Sequence, residues 1–204
     1  MMEKIKILLP ITLLGLISSC AAQTSTIQVQ DDSIVEQEKR VEYFNKVDLS
    51  GGGDLFITHS PATRLKVVGS STCLEWLEAD VKSKTLVIKN KKHHPQDCKL
   101  KFYISAPELV SIQQGGGGNV KVLAGFDAAD SFKYVLSGGG TVDMKEIKVN
   151  SFSATINGGG TMLIHVDKQL KAEINGGGSI AYQGNPEVIS NIAAGGGSIN
   201  KISK

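Results

Sequence analysis

A glycine triplet recurs six times along this 204-residue chain, each time where an apolar strand pattern breaks and restarts: Gly51-Gly52-Gly53, Gly116-Gly117-Gly118, Gly138-Gly139-Gly140, Gly158-Gly159-Gly160, Gly176-Gly177-Gly178 and Gly195-Gly196-Gly197. The last five begin 22, 20, 18 and 19 residues apart; 64 residues lie between Gly51 and Gly116, room for about three further units. A period near twenty residues marks a stacked-coil protein, because each unit can bury its apolar face only against its neighbours. Glycine alone tolerates positive φ and admits another backbone closely, so its repetition is an architectural need. The spacing predicts that corner glycines such as Gly159 and Gly177 take positive φ or touch the next coil.

The flanks repeat as well. Two residues before the triplets stand Leu49, Gln114, Leu136, Ile156, Ile174 and Ala193, and six before the last four stand Phe132, Phe152, Leu170 and Ile189. Directly after the triplets come small polar residues: Asp54, Asn119, Thr141, Thr161, Ser179 and Ser198. One step further every residue is apolar: Leu55, Val120, Val142, Met162, Ile180 and Ile199. Apolar positions at period two on both sides of a bend read as strand, glycine corner, strand. Equivalent residues in successive coils should then stack, Leu136, Ile156 and Ile174 in one buried column and Phe132, Phe152 and Leu170 in another. The rival is a β-sandwich, since twenty residues also make an antiparallel hairpin.

The segments Ile156-Asn157-Gly158-Gly159-Gly160-Thr161 and Ile174-Asn175-Gly176-Gly177-Gly178-Ser179, with degenerate copies around them, resemble the head GIN-domain family of auto-transporter adhesin heads. The resemblance covers roughly residues 41–204. It implies an all-β fold, a single-stranded right-handed parallel β-helix with coils of about 18–22 residues and glycine-triplet corners. It implies a binding head and supplies no catalytic motif.

The N-terminus speaks to location. Lys4 and Lys6 precede an apolar stretch from Ile7 to Ile17, short for a bilayer span, which ends in Ile17-Ser18-Ser19-Cys20. An aliphatic residue, two small residues and a cysteine form the bacterial lipobox, in which the Cys20 thiol accepts diacylglycerol. The expected organisation is a signal peptide over residues 1–19, a lipidated cysteine and tether over 20–40, and a β-helical head over 41–204. Two or three acyl chains anchor stably where one is marginal, so the partner expected first is a membrane, in an outer-membrane setting with the face undecided.

Removing residues 1–19 takes away Lys4, Lys6 and Glu3 and leaves 20 basic against 19 acidic residues, net +1. So balanced a charge, with 5% aromatic residues, argues against nucleic-acid binding, which needs a basic stripe. The run Lys89-Asn90-Lys91-Lys92-His93-His94 reads as a solvated turn. Cys73 and Cys98 remain after lipidation, and two readings stay open: one disulfide, as an oxidising envelope favours, or two free buried cysteines. Residues 58–114 keep strand alternation but lack triplets, with a helix-like stretch at Cys73 to Glu78, and read as the irregular part of the coil.

Chemistry-bearing patterns are weak. No triplet opens a phosphate loop, which needs Lys-Ser/Thr or a following helix, so no cofactor is expected. The histidines (His59, His93, His94 and His165) lack the spacing of a metal site. Asp143, Glu146, Asp167 and Glu173 are dispersed, and no catalytic pair is legible. The small polar residues after the triplets cap turns or, as an outer ladder, could bind a glycan or protein ligand. The sequence therefore supports a lipid-anchored envelope protein with a non-enzymatic β-helical binding head; a carbohydrate-active enzyme on a similar coil is the alternative.

Overall fold

The computed structural model describes residues 33–91, 98–192 and 195–203. The chain first lays down β1 (Ile34–Arg40), β2 (Lys46–Leu49), β3 (Asp54–His59), β4 (Arg64–Ser70), a single helical turn α1 (Ser71–Glu75), β5 (Leu77–Lys82), β6 (Thr85–Asn90) and β7 (Lys101–Ala106). There follow β8 (Ser111–Gly116), β9 (Val120–Val122), β10 (Ala129–Gly138), β11 (Thr141–Gly158), β12 (Thr161–Asn175), β13 (Ser179–Gln183), β14 (Glu187–Ile192) and β15 (Ser198–Lys201).

The strands form two walls joined by glycine corners. Wall 1, before the corners, runs β5-β6-β2-β8-β10, then the second halves of β11 and β12, then β14. Wall 2, after the corners, runs β1-β4-β7-β3-β9, then the first halves of β11 and β12, then β13 and β15. From β8 onward every ladder is parallel, as in Ile156 opposite Ile174 and Thr161 opposite Ser179. This is a parallel β-helix, and the hairpin alternative is excluded.

The core follows from period-two alternation. Leu136, Ile156 and Ile174 lie opposite one another and are fully buried. Phe132 and Phe152 stack with ring centroids 5.4 Å apart, and Leu170 continues their column. Gln114 breaks the Leu136 column yet has no exposed surface. Its Nε2 donates to the Gly118 carbonyl at 3.0 Å, and its Oε1 accepts from the Tyr134 hydroxyl at 2.7 Å. A buried amide is tolerable when both ends are bonded.

The first triplet is not three coils away from the second. The rung formed by β2 and β3 sits directly between the β6–β7 rung and the β8–β9 rung. Gly53 N–H donates to the Gly117 carbonyl at 2.9 Å, so all six triplets lie in one column of corners. The residues between them run back to the starting end, where β1 and β4 finish wall 2 and β5 finishes wall 1, all antiparallel. Alternation is the same for parallel and antiparallel strands, which is why the stretch 58–114 reads as irregular coil from sequence. The segment read as a tether contributes β1, and the helix-like stretch appears as α1, giving way to β5 at Leu77.

Within each triplet the roles differ, which corrects the expectation for the middle glycines. A Cβ on Gly158 (φ 143°) would fall closer than 3.0 Å to the Gly138 carbonyl oxygen, and one on Gly178 would meet the Gly160 carbonyl at 2.8 Å. A Cβ on Gly159, which has no positive φ, would meet open space, and one on Gly177 would meet only the Gly195 carbonyl at 3.5 Å. In the four inner triplets from Gly116 to Gly178 the first and third positions face the neighbouring rung while the middle one points outward; in the two outer triplets the middle glycines Gly52 and Gly196 keep positive φ, 74° and 78°.

Candidate binding surface

The outward side chains of wall 1 fall into straight columns because the rungs are in register. One column reads Lys46, Ser111, Lys133, Ser153 and Lys171. Rungs are about 4.8 Å apart, so successive lysines lie about 9.6 Å from one another with a hydroxyl between each pair. Alternation halves their Coulomb repulsion relative to adjacent rungs and separates them by roughly a Debye length at physiological salt. Among the described residues none of the three lysines is ion-paired.

All three border a groove of about 480 Å³ along the axis of the coil. Beneath it lie the buried rings of Phe132 and Phe152; its other side carries Ser131, Ser151 and Gln169, themselves in register. Carboxylates stand on the opposite side of the lysine column, two residues further along the strands. They are turned into local bonds: Asp48 accepts from the Ser50 hydroxyl at 2.8 Å and Glu173 from Asn175 Nδ2 at 3.1 Å. These neutral donors leave the two carboxylates charged, but no carboxylate lines the groove itself, so its lining is cationic and hydroxyl-rich. The sequence carried a signal for it, since each member of the column stands five residues before its triplet.

The polar residues after the triplets do something else. Asp54 Oδ1 accepts from the Asn119 backbone N–H at 2.9 Å, Asn119 Oδ1 accepts from Thr141 N–H at 3.1 Å, and the Thr161 and Ser179 hydroxyls bond at 3.1 Å. The Asp54, Asn119, Thr161 and Ser179 side chains thus bond between rungs and fasten the corners, while the Ser198 hydroxyl accepts from Asn200 in its own rung. On the outside of wall 2, Phe56 and Tyr103 stack at 5.1 Å, and the Lys66 ammonium lies 5.1 Å over the Tyr103 ring. Phe56 and Lys66 cover the two faces of the exposed Tyr103 ring, so that ring offers no free flat face to a sugar.

The remaining singled-out residues are scattered. Cys73 in α1 and Cys98 are joined by a disulfide with Cα atoms 5.7 Å apart, at the starting end of the coil. His59 packs edge-on against Phe126, and the nearly buried His165 places Nε2 3.3 Å from Asp167 Oδ1. Asp143 pairs with Lys145 at 2.8 Å. No group of three or more His, Cys, Asp or Glu that could hold a metal occurs among the described residues. Cys20, His93 and His94 lie outside the described residues. At the same starting end, the Tyr43 hydroxyl and Asn45 Nδ2 both donate to Glu108. The Tyr43 bond, then that of Asn45, hold the Glu108 carboxyl below its usual range, and the same Glu108 raises the Tyr43 phenol.

Three solved structures resemble this fold. A "putative adhesin" from Bacteroides fragilis NCTC 9343 shares 22% identity, covers 83% of this chain and 97% of its own, and superposes with a TM-score of 0.50. A "putative adhesin" from Parabacteroides distasonis ATCC 8503 (15%, 84% and 98%, TM-score 0.41) and a "putative cell adhesion protein" from Clostridium sporogenes ATCC 15579 (14%, 83% and 99%, TM-score 0.44) are more distant. No curated protein matches. The family model described as "Putative auto-transporter adhesin, head GIN domain" matches residues 43–127 and 122–186, a span that takes in five of the six glycine corners. On that match, with the parallel coil and the column of corners to support it, the chain belongs to the head GIN-domain family of auto-transporter adhesins.

Proposed function

We propose that this protein is a lipid-anchored component of the bacterial cell envelope whose β-helical head binds a ligand, without catalysis, in the groove of wall 1. The observation that carries the reading is the groove itself. It is open, it follows the coil axis across several rungs, and it is lined by unpaired ammonium groups and hydroxyls, with neighbouring carboxylates held in local bonds. A polysaccharide hydrolase would need two carboxyl groups about 5–10 Å apart flanking the scissile bond. The family description adds adhesion as the context. Anchoring rests on Ile17-Ser18-Ser19-Cys20, in which Cys20 is the lipid acceptor.

Two measurements test the proposal. Cys20→Ala should abolish globomycin-sensitive processing and detergent partitioning; unchanged partitioning of the variant removes the anchor from the proposal. A glycan array probed with the full-length protein should show retention without release of reducing ends. Steady turnover of any retained glycan would replace the binder with an enzyme.

A further inference from the structure

We infer that the groove takes a linear acidic polysaccharide carrying one carboxylate on every second sugar. The inference rests on the binding reading above and adds the ligand class.

The lysine interval is the deciding quantity. Lys46, Lys133 and Lys171 recur every second rung, about 9.6 Å, which is the length scale of one disaccharide in an extended chain. Other linear polyanions have a different period. An extended acidic peptide presents same-side carboxylates every two residues, about 6.6–6.8 Å. A nucleic-acid strand carries one phosphate per about 3.4 Å of duplex axis. Either would meet the lysines out of step, leaving charges between them against neutral serines. An acidic sugar alternating with a neutral one places carboxylate against Lys and hydroxyls against Ser111 and Ser153, rung after rung.

The rest of the groove has the chemistry a sugar requires. Ser131 and Ser151 on the far side offer both donors and acceptors to ring hydroxyls. Val110 at the edge of the groove adds a half-buried apolar contact for sugar C–H groups. Lysine suits a lone carboxylate, as a compact point charge without the fixed fork by which Arg grips phosphate or carboxylate pairs. From Lys46 to Lys171 are four rungs, about 19 Å, so three acidic sugars fill the site and a hexasaccharide is the matching length.

Isothermal titration of the full-length protein tests this with a hyaluronan hexasaccharide, which bears a carboxylate on alternate sugars. The comparison probes are neutral chitohexaose, a hexagalacturonate with a carboxylate on every sugar, and phosphatidylglycerol vesicles. The hyaluronan fragment should bind, more weakly as salt is raised, and more tightly than any comparison probe. Lys46→Ser, Lys133→Ser and Lys171→Ser install the residue already present on the alternate rungs, so the melting temperature should hold. Each should weaken hyaluronan binding several-fold, and the triple variant should abolish it. Lys121→Ser on wall 2 should change nothing. Equal or tighter binding of chitohexaose or hexagalacturonate, or full binding by the triple variant, overturns the inference. Vesicle binding lost with the same three lysines, and no hyaluronan binding, would reassign the column to lipid headgroups. Attachment of whole cells separates the two levels: if it depends on the three lysines while hyaluronan fails to bind, the ligand class is wrong and the binding reading stands. If attachment ignores the lysines, the groove reading falls as well.

Discussion

Adjacent glycines in one corner should respond to the same substitution with opposite sign. Gly158 has φ 143°, and an added Cβ would run into the Gly138 carbonyl oxygen of the neighbouring rung. That atom is backbone, fixed in the parallel ladder of β10 and β11, so relief requires moving a rung. A strained backbone position costs on the order of 1–3 kcal/mol, and the clash puts Gly158→Ala at the upper part of that range, about 2–3 kcal/mol. Gly159 has no positive φ and an added Cβ would meet open space. There alanine loses nothing in the folded state and narrows the unfolded ensemble, stabilising by about 0.4–1 kcal/mol. For a chain of this size 1 kcal/mol moves the melting temperature about 2–4 °C. Gly158→Ala should therefore melt about 4–12 °C lower, and Gly159→Ala up to about 4 °C higher. Urea titration with an unchanged slope checks that the difference is one of stability. Equal losses at both positions would refute the division of labour within the triplet.

The buried Gln114–Tyr134 pair should be coupled: Gln114→Leu leaves the Tyr134 hydroxyl without its acceptor and costs about 1–3 kcal/mol, whereas adding Tyr134→Phe recovers much of the loss in a double-mutant cycle. Burial pushes the Tyr134 phenol well above its ordinary value, so the stability that it contributes is intact below the unfolded pKa and is lost as pH rises beyond about 10. Alkaline unfolding should accordingly move to higher pH in Tyr134→Phe, and an unmoved midpoint would count against the buried phenol. Reducing the Cys73–Cys98 disulfide reopens a loop of 25 residues, worth about 3.5 kcal/mol in the loop-entropy account; equal melts with and without reductant would show that this link adds nothing.

Much of the coil is legible in the chain because its rules are local. The columns of Ile156 and Phe132 follow from counting backward from each triplet, and the structure places both where the count puts them. The groove was within reach of the same count, since position minus five reads Lys46, Ser111, Lys133, Ser153 and Lys171. Other features depend on residues far apart in sequence. Phe56 and Tyr103 meet because β3 pairs with β7, and Gln114 is acceptable in the core because the next rung supplies Tyr134.

The sequence by itself determined the repeating unit: strand, glycine corner, strand, with an apolar inside and a polar outside, because side-chain alternation and the steric freedom of glycine are properties of a few consecutive residues. Only the tertiary structure decided the order of the rungs. The β2–β3 rung lies between rungs built much later in the chain, and antiparallel strands close the starting end. Strand partners are chosen by which edges remain open once other strands have paired, and no local pattern records that. The same long-range stacking decided which glycines in a triplet are indispensable, because the atom that forbids a side chain belongs to the rung beside it.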